Sequence, residues 1–540
     1  MTRTSLLIAS LATLLTPPLW AQHEHGRSVE QLGRVVFPIS CNPQAQQRFS
    51  RAMALLHSFW WEQGQAAFQA VADADSTCAM AYWGMALNAW GNPFVGGPGG
   101  NAGKGDPLRR GAAAAVRASA LSARTAREGG FISASAALYR GFDSIPNARR
   151  LQAYSDTLAR VYHDFPTDTE VAIYYALSLV ETASKTDTTF ARQKQAAAIL
   201  NPLFRRFPEH PGLAHYIIHA DDSPRLATLG LDAARRYAEI AASAPHAQHM
   251  PSHIFVRLGL WDETIAANQR AFEAGLEYAR AHNQPVAPER LHALDYMVYA
   301  YLQEGRDRAA RSTIDTAQKL VTTATSDMLI ANYNRVAMEA RLPLERGDWA
   351  AAARLPVRGA ELTIGAALDH FARGIGAGRQ GDTAQSRLEI AALAATDADM
   401  TRRGDTEWAR VVAIKRQAVT AWAELAAGDT VAALRDARAA ADLEDVTEKQ
   451  PVTPAELLPA RELQADMLLA TGRFMEARAA YETTLAREPK RARSLFGSAR
   501  AAELAGDTVG ARRRYDDFLA QMCAGDGERA EIAQARAALR

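Results

Sequence analysis

The chain has 540 residues, with 61 Lys and Arg against 60 Asp and Glu, so its formal net charge is +1. Hydrophobic residues make up 48% of the sequence, which is enough for a large core and excludes an intrinsically disordered chain. The balanced charge argues against a protein that binds nucleic acid or anionic membranes by bulk electrostatics.

The N-terminus is typical of a secretory signal peptide. Arg3 provides the positive charge, residues 6–15 are apolar, and Leu19-Trp20-Ala21 resembles a cleavage site. The alternative is a buried N-terminal helix. We expect no transmembrane segment in the mature chain, because no later apolar run reaches the length of about 18 residues that a spanning helix needs. The sequence therefore predicts export to the periplasm or the extracellular space.

Export bears on the three cysteines, because disulfides persist in oxidising compartments. Cys41 precedes a predicted helix that starts near Pro43, and Cys78 follows a second helix that ends near Ala74. In an antiparallel hairpin these points share one end, so a Cys41–Cys78 disulfide is a candidate. Two free thiols are the alternative, and Cys523 is left over.

A Gly- and Pro-rich segment, residues 92–105, interrupts the helical pattern. It contains Gly103-Lys104 but is not a phosphate-binding loop, because Pro98 and Gly105 stand where that motif needs Gly and Ser or Thr. The segment is either a plain surface loop or a lid over a site.

Histidine is concentrated in one part of the chain: 8 of the 13 histidines fall between residues 210 and 292. His215 and His219 are one turn apart on a predicted helix, so they share a face. More histidines lie on the first helices of the next two predicted hairpins. Two histidines one turn apart, with a ligand from a neighbouring helix, are typical of a Zn, Cu or Fe site.

Three interpretations of this cluster stay open: a transition-metal site, a metal-free groove for a ligand or peptide, and a structural role. No His-Glu-x-x-His motif is present, which argues against a zincin-type hydrolase. The candidate metal ligands are His215, His219, His246, His249, His253 and His292. The candidate groove residues are Tyr216, Asp221, Asp222, Asp295 and Tyr296, of which the two neighbouring aspartates are ligands or acceptors for imidazole N–H groups.

The C-terminal part contains an internal repeat. Gly472, Ala477 and Tyr481 recur 34 residues later, which is the spacing of a tetratricopeptide helix–turn–helix unit. Looser copies of the glycine occur upstream, at Gly259, Gly305, Gly347, Gly381 and Gly428. Strand signals are almost absent. The sequence therefore predicts an all-α, tetratricopeptide-like solenoid of stacked helical hairpins, with a globular helical bundle as the alternative.

These patterns predict four segments along the chain. They are a signal peptide (1–21), an N-terminal extension (22–42), degenerate helical repeats with a His-rich groove (43–303), and C-terminal tetratricopeptide-like repeats (304–540).

One motif resembles a known family. Residues 249–259, His-Met-Pro-Ser-His-Ile-Phe-Val-Arg-Leu-Gly, are similar to a phrase in a group of exported bacterial tetratricopeptide proteins, and residues 216–220 and 78–84 resemble two more of its phrases. The resemblance covers about the first 310 residues. It implies the solenoid fold and export, and it implies no reaction.

The sequence leaves two functions open. The first is a scaffold that binds a peptide or protein partner in its concave groove, which the first helices of successive hairpins would line. The second is a metalloprotein, with or without enzymatic activity, in which the histidines of that groove hold a transition metal.

Overall fold

A computed structural model describes residues 30–94, 107–121, 123, 125–284, 289–320, 329–358 and 362–540. The predicted signal peptide and residues 95–105 of the Gly- and Pro-rich segment lie outside these residues. The described part of the chain is helical and contains no strand. Its helices are α1 (Pro43–His57), α2 (Trp61–Ala74), α3 (Ala79–Trp90), α4 (Pro107–Ala120), α5 (Ala126–Tyr139), α6 (Asn147–Asp164), α7 (Thr169–Glu181), α8 (Ala191–Arg206), α9 (Pro211–Asp221), α10 (Leu231–Ile240), α11 (Pro245–His249), α12 (Pro251–Leu258), α13 (Trp261–Ala281), α14 (Glu289–Gln303), α15 (Asp307–Leu320), α16 (Leu329–Glu345), α17 (Trp349–Ala353), α18 (Ile364–Arg379), α19 (Thr383–Arg402), α20 (Thr406–Ala426), α21 (Thr430–Asp445), α22 (Ala460–Ala470), α23 (Phe474–Arg487), α24 (Ala492–Leu504), α25 (Thr508–Gln521) and α26 (Ala530–Ala538).

The helices form successive antiparallel hairpins, and each hairpin packs on the next, so the predicted all-α, tetratricopeptide-like solenoid is confirmed. The turns between paired helices explain the repeated glycine. The glycines that the sequence singled out have φ between +64° and +89°, a backbone conformation that residues with a Cβ atom rarely adopt. They are Gly259, Gly305, Gly347, Gly381, Gly428, Gly472 and Gly506.

The N-terminal hairpin is closed covalently. Cys41 and Cys78 form a disulfide with a Cα–Cα distance of 5.3 Å, and Cys523 is free and exposed. Phe37, Phe49 and Trp83 pack edge to face beside this crosslink in the first part of a continuous core. None of the helices in the described ranges is long and apolar enough to cross a bilayer.

Buried ion pairs join first helices that are distant in sequence. Arg341 of α16 contacts Asp295 of α14 at 2.9 Å. Arg491, just before α24, contacts Glu462 of α22 at 2.8 Å and Glu345 of α16 at 2.9 Å. All five side chains are almost fully buried. Because a buried charge needs a close partner, these pairs fix how the first helices of the middle and C-terminal hairpins approach each other.

The solenoid is wound so tightly that its C-terminal half covers the His-rich helices. Glu448 contacts Arg257 at 3.1 Å, Lys449 lies 3.5 Å from Asp222, and the carbonyl of Thr453 accepts from the Tyr296 hydroxyl. The sequence suggested an open groove at this level. The structure instead has a buried polar interior there, because the connection between α21 and α22 lies across it.

Candidate metal centre

Three consecutive hairpins bring the histidines together. Their first helices are α9, the pair α11 and α12, and α14. The break between α11 and α12 falls at Pro251, which has no N–H, while Met250 keeps helical angles with φ −53° and ψ −35°. The two short helices therefore form one continuous helical segment, and the histidines before and after the break lie on neighbouring faces of it.

The first histidine set consists of His215 and His219 from α9 and His246 from α11. The Nε2 atom of His215 lies 3.1 Å from that of His219 and 3.2 Å from that of His246. His215 is fully buried, and its Nδ1 donates to the carbonyl oxygen of His57 at 2.6 Å. Its Nε2 therefore carries a lone pair and points into the set.

The second histidine set consists of His249 from α11, His253 from α12 and His292 from α14. The Nε2 atoms of His249 and His253 lie 3.1 Å apart. The ring of His292 lies 4.5 Å from that of His249 and 5.9 Å from that of His253, centre to centre. The Nδ1 atom of His292 is buried and has no hydrogen-bond partner among the described residues.

The Nδ1 contacts fix the tautomers of the second set. His249 Nδ1 donates to Asn268 Oδ1 at 2.6 Å; the amide nitrogen of Asn268 donates in turn to the carbonyl of Thr264, so its oxygen faces the imidazole. His253 Nδ1 donates to Asp222 Oδ2 at 2.9 Å. Both Nε2 atoms are then acceptors, and two acceptors 3.1 Å apart repel each other unless a cation lies between them.

A proton does not suit the position between these two Nε2 atoms. Burial lowers the pKa of every histidine in both sets, and the neighbouring histidines lower most of them further. Asp222 partly opposes this effect at His253. Burial alone would raise the pKa of the Asp222 carboxyl, but Lys449 and Arg257 hold it well below its usual range, so the carboxylate stays ionised. The imidazoles are therefore neutral, which is the form that binds metal.

The spacing of the nitrogens suits a transition-metal ion. A metal with tetrahedral angles and metal–nitrogen distances of about 2.0–2.1 Å places its ligand nitrogens about 3.3 Å from each other. In each set one ligand nitrogen from every histidine lies within 4.8 Å of the other two, and three Nε2 pairs are already at 3.1–3.2 Å. Each set thus offers three neutral nitrogens, which Zn, Cu and Fe accept.

Aromatic rings surround both sets and limit the access of water. Phe59 lies 4.4 Å from the ring of His215, and Phe94, at the start of the Gly- and Pro-rich segment, stacks on His219 at 4.1 Å. Tyr296 contacts the second set, with its ring 5.0 Å from that of His249. Phe59 and Phe94 hold the imidazoles in place without competing for their nitrogens, whereas the Tyr296 hydroxyl lies 3.4 Å from both ring nitrogens of His253.

A third polar cluster, the carboxylate relay, lies next to the first set. Glu170 accepts from His57 Nε2 at 3.1 Å and from His210 Nε2 at 3.0 Å, and the Tyr216 hydroxyl donates to His57 Nδ1 at 3.1 Å. Burial would raise the pKa of Glu170, but the two histidines outweigh it and lower that pKa to about 2. Each of these contacts pairs one donor with one acceptor, whereas the buried Nδ1 atom of His210 has no hydrogen-bond partner among the described residues.

The structure brings together all six histidines that the sequence marked as candidate ligands. Tyr296 and Asp222 lie against them, and Tyr216 packs on His215. The other two candidate groove residues lie elsewhere. The carboxylate of Asp221 lies beside Gly230, and burial raises its pKa to about 7; Asp295 is enclosed with Arg341.

Sequence reasoning missed two of the three acceptors that orient the ligands; the third, Asp222, was a candidate acceptor. Asn268 lies on the second helix of its hairpin, and the carbonyl that holds His215 belongs to residue 57, at the end of α1. The sequence carries no local signal for either contact. The position of Phe59 directly after α1 is only a weak signal in the sequence that this ring contacts the histidines.

The similarity of this chain to known proteins is weak. No protein-family model and no curated protein matches the chain. Similar solved structures include a human IFIT1 dimer with m7Gppp-AAAA, with 11% identity, 78% of this chain and 87% of that chain covered, and a TM-score of 0.34. Another is yeast Tom70, with 12% identity, coverage of 92% and 95%, and a TM-score of 0.33.

Proposed function

We propose that this protein is a metalloprotein that holds transition-metal ions in its two histidine sets. The observation that carries the proposal is the pair His249 and His253, whose Nε2 atoms face each other at 3.1 Å while both Nδ1 protons are engaged elsewhere. Such a pair is unfavourable without a cation, and a second set with the same neutral nitrogens lies beside it.

The contacts around the ligands support this function. Metal-binding imidazoles in proteins usually donate their other N–H to a carbonyl or carboxylate, which orients the ring and raises its basicity. His215, His249 and His253 donate to a backbone carbonyl, an amide oxygen and a carboxylate, respectively. In each case the acceptor on Nδ1 leaves the lone pair of Nε2 facing the other histidines.

The test is metal analysis of protein purified without a histidine tag. After removal of metal, incubation with Cu, Zn or Fe salts and desalting, we expect stoichiometric metal that the His215→Ala, His253→Ala double variant no longer retains. His163→Ala is the matched control, because that side chain is 89% exposed and lies on α6. Wild-type protein that retains no stoichiometric metal contradicts the proposal, provided that circular dichroism shows it folded.

We further propose that the protein works outside the cytoplasm. The Cys41–Cys78 disulfide supports this location, because such bonds persist in oxidising compartments. Expression of the full chain in a bacterial host, followed by mass spectrometry of the periplasmic fraction, should yield a protein that begins at Gln22. A chain that keeps residues 1–21 and stays in the cytoplasmic fraction contradicts this.

A scaffold that binds a peptide or protein partner is the second candidate function. A cleft of about 630 Å³ between the C-terminal hairpins favours it, with Trp349, Tyr481 and Phe496 among its lining residues. Peptides selected by display on the purified protein should bind Trp349→Ala at least tenfold more weakly and Trp60→Ala unchanged. Equal binding to both variants would remove this cleft from consideration.

A further inference from the structure

The two histidine sets are neighbours, and two contacts join them. His246 and His249 are adjacent ligands on α11, one from each set, and their ring centres lie 6.1 Å apart. His219 of α9 faces His253 of α12, with ring centres 6.2 Å apart. Inside the sets, the ring centres of histidines in contact lie 4.5–5.9 Å apart, so the gap between the sets is hardly wider than these contacts.

Two ions held in these sets would be neighbours. Two-metal sites in proteins place their ions about 3.5–4 Å apart, at which distance one small ligand contacts both. Here each set supplies three nitrogens, and the pairs His246–His249 and His219–His253 link the sets. The space between the two ions is therefore bordered by imidazoles of both sets.

The charges of the neighbouring side chains favour some metal ions over others. Neither set contains a carboxylate, and Arg290 and Lys185 bring positive charge close to the first set. Beside the second set two anions, Asp222 and Glu448, are paired with two cations, Arg257 and Lys449. These four groups cancel. Two divalent ions would thus bring four uncompensated positive charges into a buried site, whereas two Cu(I) ions would bring two.

We propose that the two histidine sets form one dinuclear copper centre, in which a small anionic oxygen ligand such as hydroxide bridges the ions when both are Cu(II). This inference rests on the proposed metal function and adds the number of ions, their identity and their coupling. Copper is also the divalent first-row ion that nitrogen ligands bind most tightly. The bridging anion lowers the buried charge that the oxidised pair would otherwise carry.

The experiment combines copper analysis with electron paramagnetic resonance of the full chain loaded with Cu(II). Wild-type protein should hold two copper ions per chain, but its signal should integrate to far less than two spins, because exchange through a shared oxygen pairs them. His219→Phe should hold one copper in the second set, and His292→Phe should hold one in the first. Each variant should show the full signal of one isolated Cu(II).

The outcomes separate this inference from the function on which it rests. Two copper ions that give two full, isolated spins overturn the dinuclear centre but leave the metal function intact, and so does a wild-type protein that saturates at one copper. Wild-type protein that binds no copper and no other metal overturns both proposals. His163→Ala, which should match wild type in copper content and signal, controls for binding to surface histidines.

Discussion

Two neighbouring clusters of this protein contain buried histidines but differ in how their hydrogen bonds balance. In the carboxylate relay, imidazole N–H groups meet the oxygens of Glu170, so each donor has an acceptor. In the second histidine set, two acceptor nitrogens meet each other. The comparison teaches that burial and proximity of histidines do not by themselves indicate a metal site; the direction of the outer hydrogen bonds does.

The two clusters are also physically linked. His57 donates to Glu170 through its ring, while its backbone carbonyl accepts from His215 of the first histidine set. The relay therefore has a structural role as the support of a ligand. The following experiments change one cluster at a time, so that metal binding and stability can be assigned to each.

The largest expected effect is complete loss of metal. The double variant His219→Phe, His292→Phe removes one ligand from each set, so neither keeps the three nitrogens that a stable site needs, and we expect no retained metal. Glu170→Gln should keep full metal content, because it leaves all six ligands in place. Inductively coupled plasma mass spectrometry of desalted protein measures both. Loss of metal in Glu170→Gln alone would mean that the relay belongs to the site.

The second prediction concerns stability, to which the carboxylate relay contributes more than the histidine sets. In metal-free protein, Glu170→Gln should lower the free energy of unfolding by about 3 kcal/mol, because one buried imidazole N–H then faces an amide NH2. His219→Phe should cost about 1 kcal/mol or less, because the ring keeps its volume and its stack on Phe94. Urea unfolding of both variants with chelator present provides the measurement, and equal losses would contradict the distinction.

The relay should also make stability depend on pH. The folded pKa of Glu170 is about 2 against an ordinary value of 4.5, so its contribution is full above pH 4.5 and is lost as the pH falls towards 2. The loss amounts to about 3 kcal/mol, at 1.36 kcal/mol per pKa unit. Unfolding curves of metal-free wild type should show this slope, and Glu170→Gln should show a shallower one. Parallel slopes would contradict the assignment.

Metal should stabilise the folded chain through the histidine sets. Free metal at 100 times its dissociation constant should raise the free energy of unfolding by about 2.7 kcal/mol for each site. The increase should vanish in the double variant His219→Phe, His292→Phe and persist in Glu170→Gln. Thermal unfolding with and without added copper measures the shift, and an equal shift in all three proteins would point to binding at the surface.

The smallest effect concerns the orientation of a ligand. Asn268→Ala removes the acceptor of His249 Nδ1 but leaves all six ligands present, so the affinity of the second set should fall by about 10- to 100-fold. The first set should be unchanged, since its acceptor is the carbonyl of His57. Competition with a chelator of known affinity separates the two sites. An equal loss at both would show that Asn268 acts through the fold.

Much of the fold could be predicted because its signals are local. Seven glycines marked the turns between paired helices, and each has the left-handed backbone that such a turn requires. Helical spacing placed His215 and His219 on one face of α9 without knowledge of any other helix. The six candidate ligands followed from the same reasoning, since they occupy the first helices of three consecutive hairpins.

The division into two sets could not be predicted from the chain. His246 and His249 lie one turn apart on α11, yet they face different groups of nitrogens, and spacing along the helix treats them alike. The acceptors that fix the tautomers come from other elements: the end of α1, the loop after α9, and α13. Only the packing of those elements decides which nitrogen of each ring carries the proton.

The sequence by itself determined the helices, their turns and the faces that carry histidine, because each depends on residues within a few turns of one another. The tertiary structure alone decided that the imidazoles are buried or half-buried, grouped in threes and covered by the connection around Glu448 and Thr453. The physical reason is that burial and ligand geometry depend on distances between chain segments up to about 200 residues apart, and those distances are set by the winding of the whole solenoid.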